Sequence, residues 1–191
     1  MKPLTFDDLT SLDEYTARRA EFFDAHLRYR DRYRRVRVGP KLTLVFENRQ
    51  MLCFRVQEFL RVARISNHGE IAAHLDWFNR TLPKPDHLQA ALIIDGDAAD
   101  WREFTGNAIR LVIDSITVPA KLVTARPEDR AAGTAHWVEF ALFAPERAAL
   151  ADPRRPARIE VEYRDYRHES ALLTDEMRQS LLEDLAKPLA A

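Results

Sequence analysis

The periodicity of the apolar residues changes along the chain, and that change limits the folds open to it. Residues 11–33, 49–65 and 70–80 repeat their apolar positions at helical spacing. Residues 88–94, 109–113, 116–123, 136–143 and 158–163 read as strands. Leu42 to Phe46 reads as a further extended piece after the Gly39-Pro40 turn. Further helical signals stand at 97–104 and 145–150, and Thr174 caps a last helix through Leu185. Helices dominate the first half and strands the second. The expected architecture is α+β, with a helical N-terminal half packed on a mixed, mainly antiparallel sheet from the C-terminal half. The 191 residues suit a single domain, 1–191, with a weak break near 151–157 where Pro153 and Pro156 fall.

Residues 41–66 concentrate the functional signals. They read as a short strand running into a helix over 49–65, capped by Asn48. Leu52, Val56, Phe59, Leu60 and Ala63 share one side of that helix. Met51, Phe54, Glu58, Arg61 and Ile65 share the other, with Glu47 at the entrance. Charged groups on an apolar face need a partner or a task. Glu58 and Arg61 are spaced for an ion pair within the helix, and the alternative is a carboxylate poised for a metal or a proton.

Other chemistry is thinly supported. Cys53 is the single cysteine, which excludes an internal disulfide and a multi-cysteine cluster. It falls on the apolar side and is expected to be packed and inert. Five isolated glycines form no phosphate-binding loop. Of six histidines, His136 and His168 are the candidates to join Glu58 on a single metal ion, a convergence that the sequence does not itself show; otherwise no cofactor is expected. The run Arg28, Arg30, Arg32, Arg34, Arg35 and Arg37, interleaved with tyrosines, has the composition of a phosphate grip. A net charge of -1 argues against nucleic acid as the partner. No run approaches the roughly 20 apolar residues of a membrane span, and the acidic start lacks a signal peptide's apolar core. The expected location is the cytosol.

Several short motifs carry a family resemblance. They are Val38-Gly39-Pro40, Leu44-Val45-Phe46-Glu47-Asn48-Arg49, Gln57-Glu58-Phe59-Leu60-Arg61 and Arg64-Ile65. Phe78-Asn79, Leu82-Pro83, the strand from Ala135 to Phe140, and Tyr166-Arg167-His168 continue them. Through these, nearly end to end, the chain resembles a bacterial family called domain of unknown function 3501. It departs from that pattern at Arg164-Asp165, where the family has a His-Pro pair, and in its denser arginine run. The resemblance implies a setting beside rubrerythrin-like di-iron proteins and iron–sulfur oxidoreductase subunits. The leading expectation is therefore an accessory protein that docks onto a redox or iron–sulfur partner, with a homo-oligomer left open. Its candidate cluster is Glu47, Asn48, Arg49, Gln57, Glu58 and Arg61. The alternatives are a metal-dependent enzyme or sensor using Glu58, His136 and His168, and nucleic-acid binding through the arginine run.

Overall fold

A computed structural model describes residues 1–95, 106–124 and 136–185. In chain order the elements are α1 (Leu12–Ala17), α2 (Arg19–Tyr33), β1 (Arg35–Val38), β2 (Leu42–Phe46), α3 (Arg49–Ala63), α4 (His68–Asn79) and β3 (His87–Ile94). They continue with β4 (Ile109–Ile113), β5 (Ile116–Thr124), β6 (His136–Ala141), α5 (Ala144–Ala151), β7 (Ala157–Tyr163), β8 (Tyr166–Glu169) and α6 (Asp175–Leu185). The helix expected over 97–104 lies outside the described residues.

The eight strands form one sheet in the order β1-β2-β3-β6-β5-β4-β7-β8, and every described pairing is antiparallel. The sheet curls into a nearly closed barrel. This corrects the expected architecture, because strands and helices are mixed along the whole chain. The hairpin of β1 and β2 belongs to the first quarter of the sequence, yet it supplies one end of the sheet. The reason lies in its alternation: Val36, Val38, Leu42, Leu44 and Phe46 turn inward and join the same core as Leu88, Ala90, Val138, Phe140, Ile109, Leu111 and Ile159. Helices of the second half complete that core, with Ala149 and Leu150 from α5 and Met177, Leu181 and Leu185 from α6. A second, smaller core holds Leu4 against Leu52, Val56 and Leu60 of α3 and Ile71, Leu75 and Phe78 of α4.

Side chains, rather than strand pairing, draw the two ends of the sheet together. The Tyr166 hydroxyl of β8 donates to the Val38 carbonyl at 2.5 Å and accepts the Lys41 N–H at 3.0 Å. Between them Gly39 adopts φ +65°, and a Cβ there would stand 2.5 Å from His168 Cγ and 2.6 Å from the Tyr166 hydroxyl. Only glycine combines that dihedral with so close an approach.

Local chemistry sets the helix boundaries. The helix expected to run unbroken to Tyr33 breaks at Arg18, whose N–H closes on the Glu14 carbonyl. The break lets buried Tyr15 and half-buried Arg19 both reach α3. Asn48 caps α3 by accepting the Met51 N–H at 3.0 Å. Arg64 caps that helix in the left-handed region, φ 55°, so that it ends at Ala63, two residues before the expected Ile65.

Candidate functional site

Helix α3 is a hub to which four other parts of the chain are tied by polar side chains. Glu58 holds α1 and α2. Its carboxylate accepts from the Tyr15 hydroxyl at 3.0 Å, from Arg19 Nη2 at 2.9 Å and from Arg61 Nη2 at 3.1 Å. Partial burial would raise its pKa, but the hydrogen bonds from Arg19, Arg61 and Tyr15 outweigh that and bring it down to about 2. The expected pair of Glu58 with Arg61 is therefore present, within a larger cluster. The same carboxylate, after burial itself, pushes the Tyr15 phenol up.

Arg49 and Gln57 hold the N-terminal segment. Arg49 donates to the Lys2 carbonyl at 3.1 Å and pairs with Asp8. That pairing, with the Thr5 N–H, lowers the Asp8 carboxyl to about 2. Gln57 Oε1 accepts the Thr10 N–H at 2.6 Å. Asn79 of α4 adds a two-way clamp on Leu4, at 2.7 and 2.9 Å.

Asn48 leads into a buried network that the sequence reading missed. Its Nδ2 donates to the Tyr29 hydroxyl at 2.9 Å and to Asp184 Oδ1 at 3.3 Å. Arg34, only 1% exposed, pairs with Asp184, donates to Ser180 Oγ at 2.6 Å and reaches the Tyr29 hydroxyl at 2.8 Å. The network fastens α6 to the junction of α2 and β1. Burial raises the Asp184 carboxyl to about 6 against the opposing pull of Arg34 and Asn48. On the other side of Asn48, buried Glu47 accepts the Asn48 N–H at 3.1 Å and pairs with Arg55. Burial holds the Glu47 carboxyl above the ordinary range despite that pair. The Arg55 guanidinium lies over the buried Trp137 ring, 5.2 Å from its centroid. No sequence signal separated Asp184 from the exposed Glu183 beside it, or Arg34 from its neighbouring arginines. Arg178 was also missed: it is buried and donates to the Leu150, Asp152 and Arg155 carbonyls, closing the C-terminal end of α5.

The remaining candidates are dispersed. Glu58 is on α3, His136 opens β6, and His168 is exposed on β8 beside the Tyr166 ring, 4.3 Å between centroids. Among the described residues no group of three or more His, Cys, Asp or Glu side chains is arranged to hold a metal ion. Much of the arginine run is engaged. Arg34 is buried, Arg32 pairs with Glu176 at 2.5 Å, Arg30 and Arg35 both pair with Asp31, and Arg37 donates to the Gly39 and Pro40 carbonyls. Arg28 is exposed. Cys53 is half-buried, with its thiol 3.5 Å from the Asp8 carbonyl and its pKa raised by burial.

Above the buried network a groove of about 600 Å³ runs between α2 and α6. Tyr29 and Tyr33, with ring centroids 5.3 Å apart, meet Asp175, Glu176, Gln179 and Glu183 there. Ser180, also in its lining, joins the groove to Arg34. Its carboxylates face two aromatic rings, a combination that favours cations.

The chain belongs to the family described as "Protein of unknown function (DUF3501)", whose model matches residues 3–185. Among solved structures it is similar to a novel protein of unknown function from Burkholderia pseudomallei K96243. The two share 24% identity and a TM-score of 0.81 over 97% of this chain and 100% of that one, a likeness of fold. No curated protein matches the chain. Among the described residues no helix is long and apolar enough to cross a membrane.

Proposed function

We propose that this chain is an accessory protein that docks onto a protein partner through the groove between α2 and α6. A redox or iron–sulfur protein is the partner implied by the family resemblance. The observation that carries the reading is the lining of that groove: Asp175 and Glu183 set against Tyr29 and Tyr33, beside Glu176, which is paired with Arg32. A lysine- or arginine-bearing segment is complementary to it in charge and can stack on its rings. The charged residues in and just before α3 support the same reading, because Glu47, Glu58 and Arg49 spend their charge on neighbours within the chain. The barrel supports it too, since its interior is packed with Leu, Ile, Val and Phe side chains.

Co-expression with rubrerythrin-like and iron–sulfur candidates, followed by size-exclusion chromatography, tests the proposal. The expected complex is lost with Gln179→Lys/Glu183→Lys, which removes the groove's net negative charge. It survives Glu162→Lys on β7. A complex indifferent to the groove variant, or none at all with such partners, refutes the reading.

A further inference from the structure

The groove between α2 and α6 stands on a buried ion pair. Two residues of its lining, Tyr29 and Ser180, are also partners of Arg34, whose Nη2 donates to Ser180 Oγ at 2.6 Å and to the Tyr29 hydroxyl at 2.8 Å. The Arg34 side chain is 1% exposed, and the carboxylate that neutralises it, Asp184, is 8% exposed. A guanidinium therefore lies one hydrogen bond below the groove, and a single carboxylate decides whether its charge is cancelled.

The other charged groups around Asp184 leave that role to it. On α6 the adjacent Glu183 lines the groove and adds a like charge. At the start of α3, Asn48 offers a neutral amide at 3.3 Å, and Glu47 beside it is paired with Arg55. From α5, Arg147 pairs with Asp86 and donates to the Leu185 carbonyl at 3.3 Å. Strand β3, which also packs on α6, carries His87, whose Nδ1 lies 2.7 Å from the Pro85 carbonyl. Among the described residues Arg34 is thus the cation paired with Asp184. Burial lifts the Asp184 carboxyl to about 6 against the pull of Arg34 and Asn48. Its charge then changes between about pH 5 and pH 7.

We propose that Asp184 is a proton switch for docking. Ionised, it cancels Arg34 and lets a cationic segment settle in the groove. Protonated, it leaves the charge of Arg34 beneath the groove and disfavours that segment. The switch rests on the docking reading above and adds its regulation. Its sign follows from linkage: a cation in the groove favours the ionised carboxylate, so docking releases a proton and affinity rises with pH through the window. One uncompensated charge roughly 10 Å away, at an effective dielectric of about 20, weakens binding by about tenfold.

Hexalysine is a suitable probe, since it keeps its charge throughout the window. It is titrated calorimetrically into the full chain at low salt, in buffers of different ionisation heat, from about pH 5 to pH 7.5. Wild type is expected to gain about tenfold in affinity over Asp184→Asn across that range. Near pH 6 its binding should release protons, which the buffer dependence of the heat reads directly. Asp184→Asn cannot ionise and lacks both the step and the proton. The carboxylates of the groove are the same in the two proteins, so the difference isolates Asp184. If the variant does not fold, the proton count in wild type decides. Groove-dependent binding with no proton released, or with the same release in Asp184→Asn, overturns the switch alone. Absence of binding at every pH, or binding that survives Gln179→Lys/Glu183→Lys, overturns the docking reading and the switch with it.

Discussion

Replacing Asp184 by Asn should change how the stability of this protein depends on pH, and the change can be worked out from the structure. The Asp184 side chain is 8% exposed and faces Arg34, which is 1% exposed, with Asn48, Tyr29 and Ser180 completing the surroundings. Burial lifts its pKa from 3.8 to about 6. Between those values the folded protein keeps the proton and the unfolded chain has released it. The folded state then binds more protons, so this group's contribution falls as pH rises through the window. A shift of about two units corresponds to roughly 3 kcal/mol, fully present below pH ~4 and lost above pH ~6. The Asn variant keeps an oxygen for Asn48 and cannot titrate. Contributions from Glu58, Asp8 and Glu47 are common to both proteins and cancel in the difference. Urea unfolding followed by circular dichroism at steps from pH 4 to pH 8 gives the measurement. The stability of wild type minus variant should fall by about 3 kcal/mol across the window, with equal urea dependence in the two proteins. Parallel curves would refute the argument that burial, rather than the Arg34 pair, governs this carboxyl.

Four further outcomes are expected. Glu58→Gln loosens α1 and α2 and lowers stability by about 1–3 kcal/mol near neutrality. The carboxyl is lowered to about 2, so that loss should vanish as pH falls from the ordinary value of 4.5 toward 2, as acid unfolding curves can show. Asn48→Ala removes the cap of α3 and a donor to both Tyr29 and Asp184, costing about 2 kcal/mol in chemical unfolding. Gly39→Ala forces a Cβ against His168 and Tyr166 at φ +65°; it should lower Tm and speed hydrogen exchange at the Lys41 amide, while Arg32→Ala, at an exposed pair, changes stability by less than about 1 kcal/mol.

Element by element, much of this fold was legible in the sequence. Alternation placed the strands, and Asn48 and Thr174 marked the starts of α3 and α6 through bonds the structure contains. Their assembly was not legible. Local periodicity says which face of β1 and β2 is buried, but not that this face shares a core with β4, β6 and β7 more than 60 residues away. The charges of α3 were read as a concentrated signal because they interrupt an apolar pattern. Their partners, Arg19 for Glu58 and Asp8 for Arg49, lie 39 and 41 residues distant, and spacing alone could not supply them. Arg34 and Asp184 were hidden for a different reason. Each sits among similar residues that are exposed, and only tertiary packing, across 150 residues, singles out the buried one.

The central claim, that the groove between α2 and α6 is a docking surface, is tested most directly by hydrogen–deuterium exchange of the chain with and without a redox or iron–sulfur partner. The account predicts added protection on residues 26–33 and 175–183, decreasing as ionic strength rises. Protection confined to β7 and β8, or to α4, with the groove unchanged would contradict it.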